Sequence, residues 1–220
     1  MKQFETLLDE AIKYRFAAVC VSPHVAVGVK EALKAEEDIK VCTVVAFPHG
    51  NLPPDLKFQQ VKYFVDKGID EIDFVINYGD LIWKHYDTIS QELRLIGDYC
   101  SFHKVVSKCI VETCFLDTET LISIFNYIKL ETRIDFIKTS TGFSDAGADV
   151  DVIRLWNELR GDDNFPRIKA AGGIKDLETA LAMIEAGADR LGIGMSASVE
   201  VMEAYNNAQP TFAGGEEKAN

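Results

Sequence analysis

The feature that most constrains this chain is its repeat: seven short β-rich runs, at residues 16–21, 41–47, 71–77, 105–113, 136–140, 167–171 and 190–194, each followed by a helix-like stretch. The spacing is roughly 30 residues, the size of one strand-plus-helix unit. Alternation of this kind implies a parallel sheet with helices outside it, because parallel neighbours need a crossover and the helix supplies one. The helices have recognisable starts at Ser22-Pro23, Asp117 and Asp176, and Gly68, Gly142 and Gly187 punctuate connections. With 220 residues and 47% hydrophobic content, one large domain over residues 1–208 is expected. Beyond it, Pro210 and Gly214-Gly215-Glu216-Glu217-Lys218 read as a flexible C-terminal tail at 209–220.

A net charge of −12 argues against a nucleic-acid binder, whose affinity comes mainly from Lys and Arg on phosphates. A small anion can still be held by a local basic pocket. The five cysteines are odd in number and form no Cys-x-x-Cys pair, and the four histidines show no metal-ligand spacing. That pattern reads as reduced thiols in a cytoplasmic protein, not as a disulfide frame or a metal site. No apolar run approaches membrane-spanning length, and the first residues lack the apolar stretch of a secretory signal.

Lysine appears where a buried strand should be apolar, at Lys138 in Phe136-Ile137-Lys138-Thr139-Ser140 and at Lys169 in Arg167-Ile168-Lys169-Ala170-Ala171. Buried lysines are rare unless paired. Strand alternation sends Ile72, Phe74 and Ile76 to one face and Glu71, Asp73, Val75 and Asn77 to the other. By the same parity Lys138 and Lys169 face inward with Asp73. Such a convergence is either a reactive site or a buried structural ion cluster.

At these residues the sequence resembles deoxyribose-phosphate aldolases. The likeness is carried in order by 16–23 (FAAVCVSP), 43–50 (TVVAFPHG), 71–77 (EIDFVIN), 110–113 (IVET), the Lys138 segment and 169–173 (KAAGG). The resemblance implies a TIM-type (β/α)8 barrel and reversible cleavage of 2-deoxy-D-ribose 5-phosphate to glyceraldehyde 3-phosphate and acetaldehyde. It makes Lys138 the Schiff-base lysine, Lys169 the lysine beside it and Asp73 the proton relay, with Lys108 a polar contact near the substrate and Cys20 close to the site. The implied partners are a small phosphorylated sugar and acetaldehyde, with further copies of the chain, and neither nucleic acid nor membrane. Trp83, Tyr86 and the aromatic residues at 125–127 read as helix packing or an oligomer surface.

The chemistry explains the residue types. Breaking an aldol bond requires an electron sink, and a protonated imine on a lysine supplies one by draining the carbanion into an enamine. No metal or organic cofactor is needed for those steps. Only a neutral amine attacks a carbonyl, and a lysine of pKa about 10.4 is neutral in roughly one molecule in a few thousand at pH 7. A second ammonium at ~4 Å repels the first by about 4 kcal/mol at an effective dielectric of ~20, so Lys169 is expected to lower the pKa of Lys138. Phosphate is expected at the C-terminal ends of the strands, from Gly142, Gly172, Gly173 and Lys175, with Thr139 lining the site. The alternative for the glycines is that they only make tight turns.

Three departures from the family pattern carry expectations of their own. The family's first strand, with its Asp-His-Thr type motif, is absent, so seven core strands are expected where the family has eight. In Arg190-Leu191-Gly192-Ile193-Gly194-Met195-Ser196 the family's phosphate-holding serines fall on Gly194 and Met195, and Ser196 recovers one if two residues are inserted after Gly192. The tail has no terminal tyrosine. These changes keep two other readings open: a non-catalytic barrel that binds sugar phosphates or a protein, and a class I aldolase for a different aldehyde.

Overall fold

A computed structural model describes residues 2–208 of the chain, so the tail foreseen at 209–220 lies outside the described residues. The helices are α1 (Lys2–Tyr14), α2 (Pro23–Ala32), α3 (Pro54–Asp66), α4 (Tyr78–Ile82), α5 (Tyr86–His103), α6 (Thr118–Glu131), α7 (Val150–Arg160), α8 (Leu177–Glu185) and α9 (Met195–Ala208). Between them run β1 (Ala18–Val21), β2 (Lys40–Val45), β3 (Glu71–Val75), β4 (Val106–Ile110), β5 (Phe136–Lys138), β6 (Arg167–Ala171) and β7 (Arg190–Gly192). All seven foreseen strands are present, each within a residue or a few of the range read from the sequence. They pair in parallel and in chain order from β1 to β7.

Among the described residues the sheet curls like a TIM-type barrel but does not close, for β1 and β7 each pair on one side only. Between them lies a cavity of about 510 Å³, bounded by Ala18 of β1, Leu191 of β7, Leu7 of α1, Leu181 of α8 and Tyr205 of α9. Outside it the helical ring does close: α1 packs on α9, and the Tyr14 hydroxyl donates to Glu203 Oε1 at 2.6 Å. The layer of helices is complete where the layer of strands is not.

The core follows from the alternation. Ile72, Phe74 and Ile76 are fully buried on the helix-facing side of β3, and Ile137, Ile168 and Ala170 continue that layer on β5 and β6. Trp156 of α7 stacks on Phe125 of α6, so Phe125 packs the core while Trp83 stands 76% exposed. Asp117 and Asp176 cap their helices by accepting from the Thr120 and Thr179 amides, both at 2.8 Å. Ser22 occupies the N-cap position of α2 without a side-chain cap bond.

Register is fixed by a device used three times. Asp70, Asp135 and Asp189 stand just ahead of β3, β5 and β7, and each carboxylate accepts from an amide of the preceding strand: Val41, Ser107 and Ile168, at 2.7 to 2.9 Å. An amide near the start of the strand, ahead of the first paired residue of its neighbour, is thereby satisfied. Between α3 and α5, Lys57 and Glu92 form a fully buried ion pair at 2.9 Å, and Lys57 Nζ also donates to the Val75 carbonyl.

Candidate active site

Asp73 is the centre of the barrel interior. It is fully buried, and its Oδ2 accepts from both Lys138 Nζ and Lys169 Nζ at 2.7 Å while Oδ1 accepts from Lys108 Nζ at 2.8 Å. Adjacent parallel strands put these residues at neighbouring register positions, Asp73 opposite Lys108 and Lys138 opposite Lys169. Parity thus places all three charges of the sequence reading on one face, and adds Lys108 to them. Lys108 also reaches Glu71 at 2.6 Å, and Arg190 reaches the same Glu71 at 3.4 Å. Four cations therefore face two carboxylates inside the barrel.

This excess of positive charge holds Asp73 ionised well below the usual carboxylate range, the three lysines overcoming the opposing effect of burial. Lys138 does not show the lowered pKa expected from a neighbouring lysine. Burial pulls it down, but the Asp73 carboxylate in direct contact, with help from Cys20, outweighs burial and raises it. The physical reason is that the carboxylate stands between the two ammonium groups. Lys108 is also raised, by Cys42, Asp73 and Glu71 against burial.

Two openings reach this cluster. A cavity of about 710 Å³ is lined by Lys138, Cys20, His49, Thr141 and Phe143, and it lies at the C-terminal ends of the strands. The cavity between β1 and β7 is lined by Lys169, Cys20, Cys42, Gly192 and Gly194. Cys20 borders both. Gly192 has a definite reason to be glycine, since a Cβ there would meet Ala171 Cβ at 2.9 Å and the Lys169 side chain at 3.4 Å.

Other foreseen residues fall elsewhere. Thr139 faces away from the cavity: its Oγ1 accepts from the Ala171 amide at 3.1 Å and donates to the Ala171 carbonyl at 3.2 Å, tying β5 to β6. Its parity is opposite to that of Lys138, and it is not among the residues that line either cavity. Gly142 and Gly172 have φ of +85°, a backbone that side chains strain, and a Cβ at Gly172 would meet the α carbons of Gly147 at 3.0 Å and Gly142 at 3.4 Å. Their glycine identity is explained by this crossing of the loops after β5 and β6. Gly173, Lys175, Gly194 and Ser196 are exposed at the ends of β6 and β7. Nothing lies within 4 Å of where a Cβ would be at Gly173 or Gly194. Asp176 already occupies the N-terminus of α8, whereas the first turn of α9 carries no acid.

Four residues of the cluster were not singled out from sequence. Glu71 and Arg190 share the inward face and are recoverable from the same alternation that exposed Asp73. Cys42 Sγ donates to Asp73 Oδ1 at 3.1 Å and is signalled only by its register with Cys20. Ser140, two residues beyond Lys138 and on its face, keeps a buried hydroxyl with no partner. Nearby, Glu112 accepts from the Thr141 amide at 3.2 Å and from its hydroxyl, which steadies the loop leaving Lys138.

An open parallel α/β barrel with amines gathered on a carboxylate in its interior, below a cavity at the strand ends, has the features of an aldol-type lyase. The chain belongs to the DeoC/LacD family of aldolases, whose family model matches residues 1–201. It is 40% identical over 200 residues to a deoxyribose-phosphate aldolase of an Exiguobacterium species, covering 91% of this chain and 87% of that one. It is 41% identical over 204 residues to the deoxyribose-phosphate aldolase of Thermococcus gammatolerans, covering 92% and 88%. Among solved structures it is similar to the aldolase QR15, with a TM-score of 0.82 and 35% identity over 94% of this chain and 89% of that one. The tetrameric deoxyribose phosphate aldolase of Aeropyrum pernix gives a TM-score of 0.82 at 25% identity, covering 93% and 84%. Among the described residues no helix is long and apolar enough to cross a membrane.

Proposed function

We propose that the protein is a class I aldolase that reversibly cleaves 2-deoxy-D-ribose 5-phosphate, with Lys138 as the Schiff-base nucleophile. The relatives named above support the substrate. One observation carries the choice of nucleophile: of the three lysines on Asp73, Lys138 is the one lining the larger cavity at the strand ends. Lys169 sits on the side of the open edge and Lys108 is fully buried.

In this reading Asp73 takes the proton that Lys138 must lose before attack and returns it as carbinolamine dehydrates and enamine is protonated. Lys169, on the same carboxylate oxygen, keeps that oxygen a weak base, so the proton is passed on and not retained. The sugar phosphate binds between Lys175 and the start of α9, where Gly194, Met195 and Ser196 leave backbone amides open to an anion. Exposed Trp83 and Phe102, at 76% and 83%, support assembly into an oligomer, as does the tetrameric neighbour. Light scattering at several concentrations tests that assembly, and a monomer throughout refutes it.

Reduction with borohydride in the presence of acetaldehyde is expected to add a two-carbon group at Lys138, and Lys138→Leu to abolish turnover while the protein stays folded. Retained turnover in that variant, or labelling at Lys169 instead, overturns the assignment. Binding of deoxyribose phosphate without cleavage by the unaltered protein favours the non-catalytic reading.

A further inference from the structure

Cys20 and Cys42 occupy directly opposed positions on β1 and β2 and both point into the barrel. Their sulfurs and the nearest Asp73 oxygen lie within 4.8 Å of one another. Neighbouring parallel strands run about 4.8 Å apart, and a disulfide spans Cα atoms about 4.4 to 6.8 Å apart. The strand that must adjust to join the two sulfurs is β1, which is unpaired on its other side and can shift toward β2 without breaking a second ladder.

We propose that Cys20 and Cys42 are a redox modification site, forming a reversible disulfide when the protein meets hydrogen peroxide. Cys20 is exposed and borders both cavities, so a small oxidant reaches it, while Cys42 is buried and borders only the cavity between β1 and β7. Their acidities divide the roles. The hydrogen bond with Cys42, aided by Lys169 and Lys138, brings Cys20 down to about 7, whereas burial pushes Cys42 well up. The Cys20 thiolate attacks one peroxide oxygen, the oxygen–oxygen bond breaks, and hydroxide leaves a sulfenic acid on Cys20. The Cys42 thiol then attacks that sulfur, the sulfur–oxygen bond breaks, and the Cys42 proton departs with the hydroxyl as water. Two sulfurs lose two electrons together, and peroxide takes them.

The other thiols lack this arrangement. Cys100 and Cys109 are buried, the strand neighbours of Cys109 are Phe74 and Ile137, and Cys114 is exposed in the turn after β4. A divalent metal on Cys20, Cys42 and Asp73 is disfavoured, because the ammonium groups of Lys108, Lys138 and Lys169 already use both carboxylate oxygens. The disulfide would remove the Cys42 donor from Asp73 and draw the Cys20 sulfur off the wall it shares with Lys138. Loss of turnover on oxidation therefore rests on the aldolase reading, but formation of the cross-link does not.

The test treats the full chain, carrying Cys114→Ser to remove the competing exposed thiol, with limiting hydrogen peroxide. Peptide mapping is expected to find a Cys20–Cys42 cross-link, with two free thiols and two hydrogens lost per chain, all restored by dithiothreitol. Turnover should fall in proportion to the thiols lost and return with them. In a Cys42→Ala background the Cys20 peptide should instead gain oxygen and fail to recover once two oxygens are added. Oxygen addition at Cys20 with Cys42 still free, or an unreacted Cys20, overturns the proposal. A cross-link with unchanged turnover would uphold the modification site and refute its effect on catalysis, whereas a cross-link in a chain that shows no turnover before oxidation would count against the aldolase reading.

Discussion

Lys138 shows how far a single residue can be read from its neighbours. Its inward direction was legible because Ile137 and Phe136 alternate around it, and Asp73 and Lys169 followed from the same rule. Its proton affinity was not legible, because that depends on which charge touches it, and contact is set by the curl of the sheet. The carboxylate raises Lys138, so activity is expected to climb with pH as the amine becomes neutral. In Asp73→Asn the anion is gone and the chief opposition to burial goes with it, so the alkaline rise should move to lower pH. The maximal rate should fall about 100-fold or more with loss of the relay. A pH profile of kcat/KM checks both, and an unmoved limb would show that Asp73 does not set the acidity of Lys138. At Gly192, an alanine would press on Ala171 and on the stem of Lys169. Turnover is expected to drop roughly tenfold with a smaller change in KM, since a displaced amine misplaces the proton path; steady-state kinetics of Gly192→Ala reads the split.

Elements were the most legible scale, because strand and helix are set by short-range periodicity. All seven strands follow their apolar runs, and the Asp117 and Asp176 caps do what their positions suggest. The clamps at Asp70, Asp135 and Asp189 were visible as an acid before alternate strands, but their partners lie 21 to 29 residues away and appear only once the strands are neighbours. The Lys57–Glu92 pair was hidden for the same reason: it joins two helices whose facing sides are decided by packing. Burial outweighs Lys57 and raises Glu92 from 4.5 to about 7. Below about pH 4.5 both folded and unfolded chains hold this proton, and between there and about pH 7 only the folded chain keeps it. Stability from this group is thus present at low pH and lost as pH rises to about 7, by on the order of 3 kcal/mol. Urea midpoints of the unaltered chain and Glu92→Gln across that range should differ in slope, flatter in the variant.

At the scale of the whole molecule, the count of strands was readable and the consequence of the missing one was not. Counting motifs gives seven; only the packing of α1 on α9 shows that the helices complete their circuit around an incomplete sheet. The amine cluster survives because Asp73, Lys108, Lys138 and Lys169 lie on β3 to β6, each of which has a strand on both sides. The outer strands are placed differently: among the described residues no strand pairs with the free side of β1 or of β7. Isotope exchange followed by mass spectrometry should therefore map a gradient, slowest at β4 and faster toward both ends of the sheet. Uniform protection around all seven strands would mean that the two ends meet a partner in solution. Where the gradient holds, the reactive centre occupies the slowly exchanging middle strands, and Cys20 lies on one of the two strands that open first.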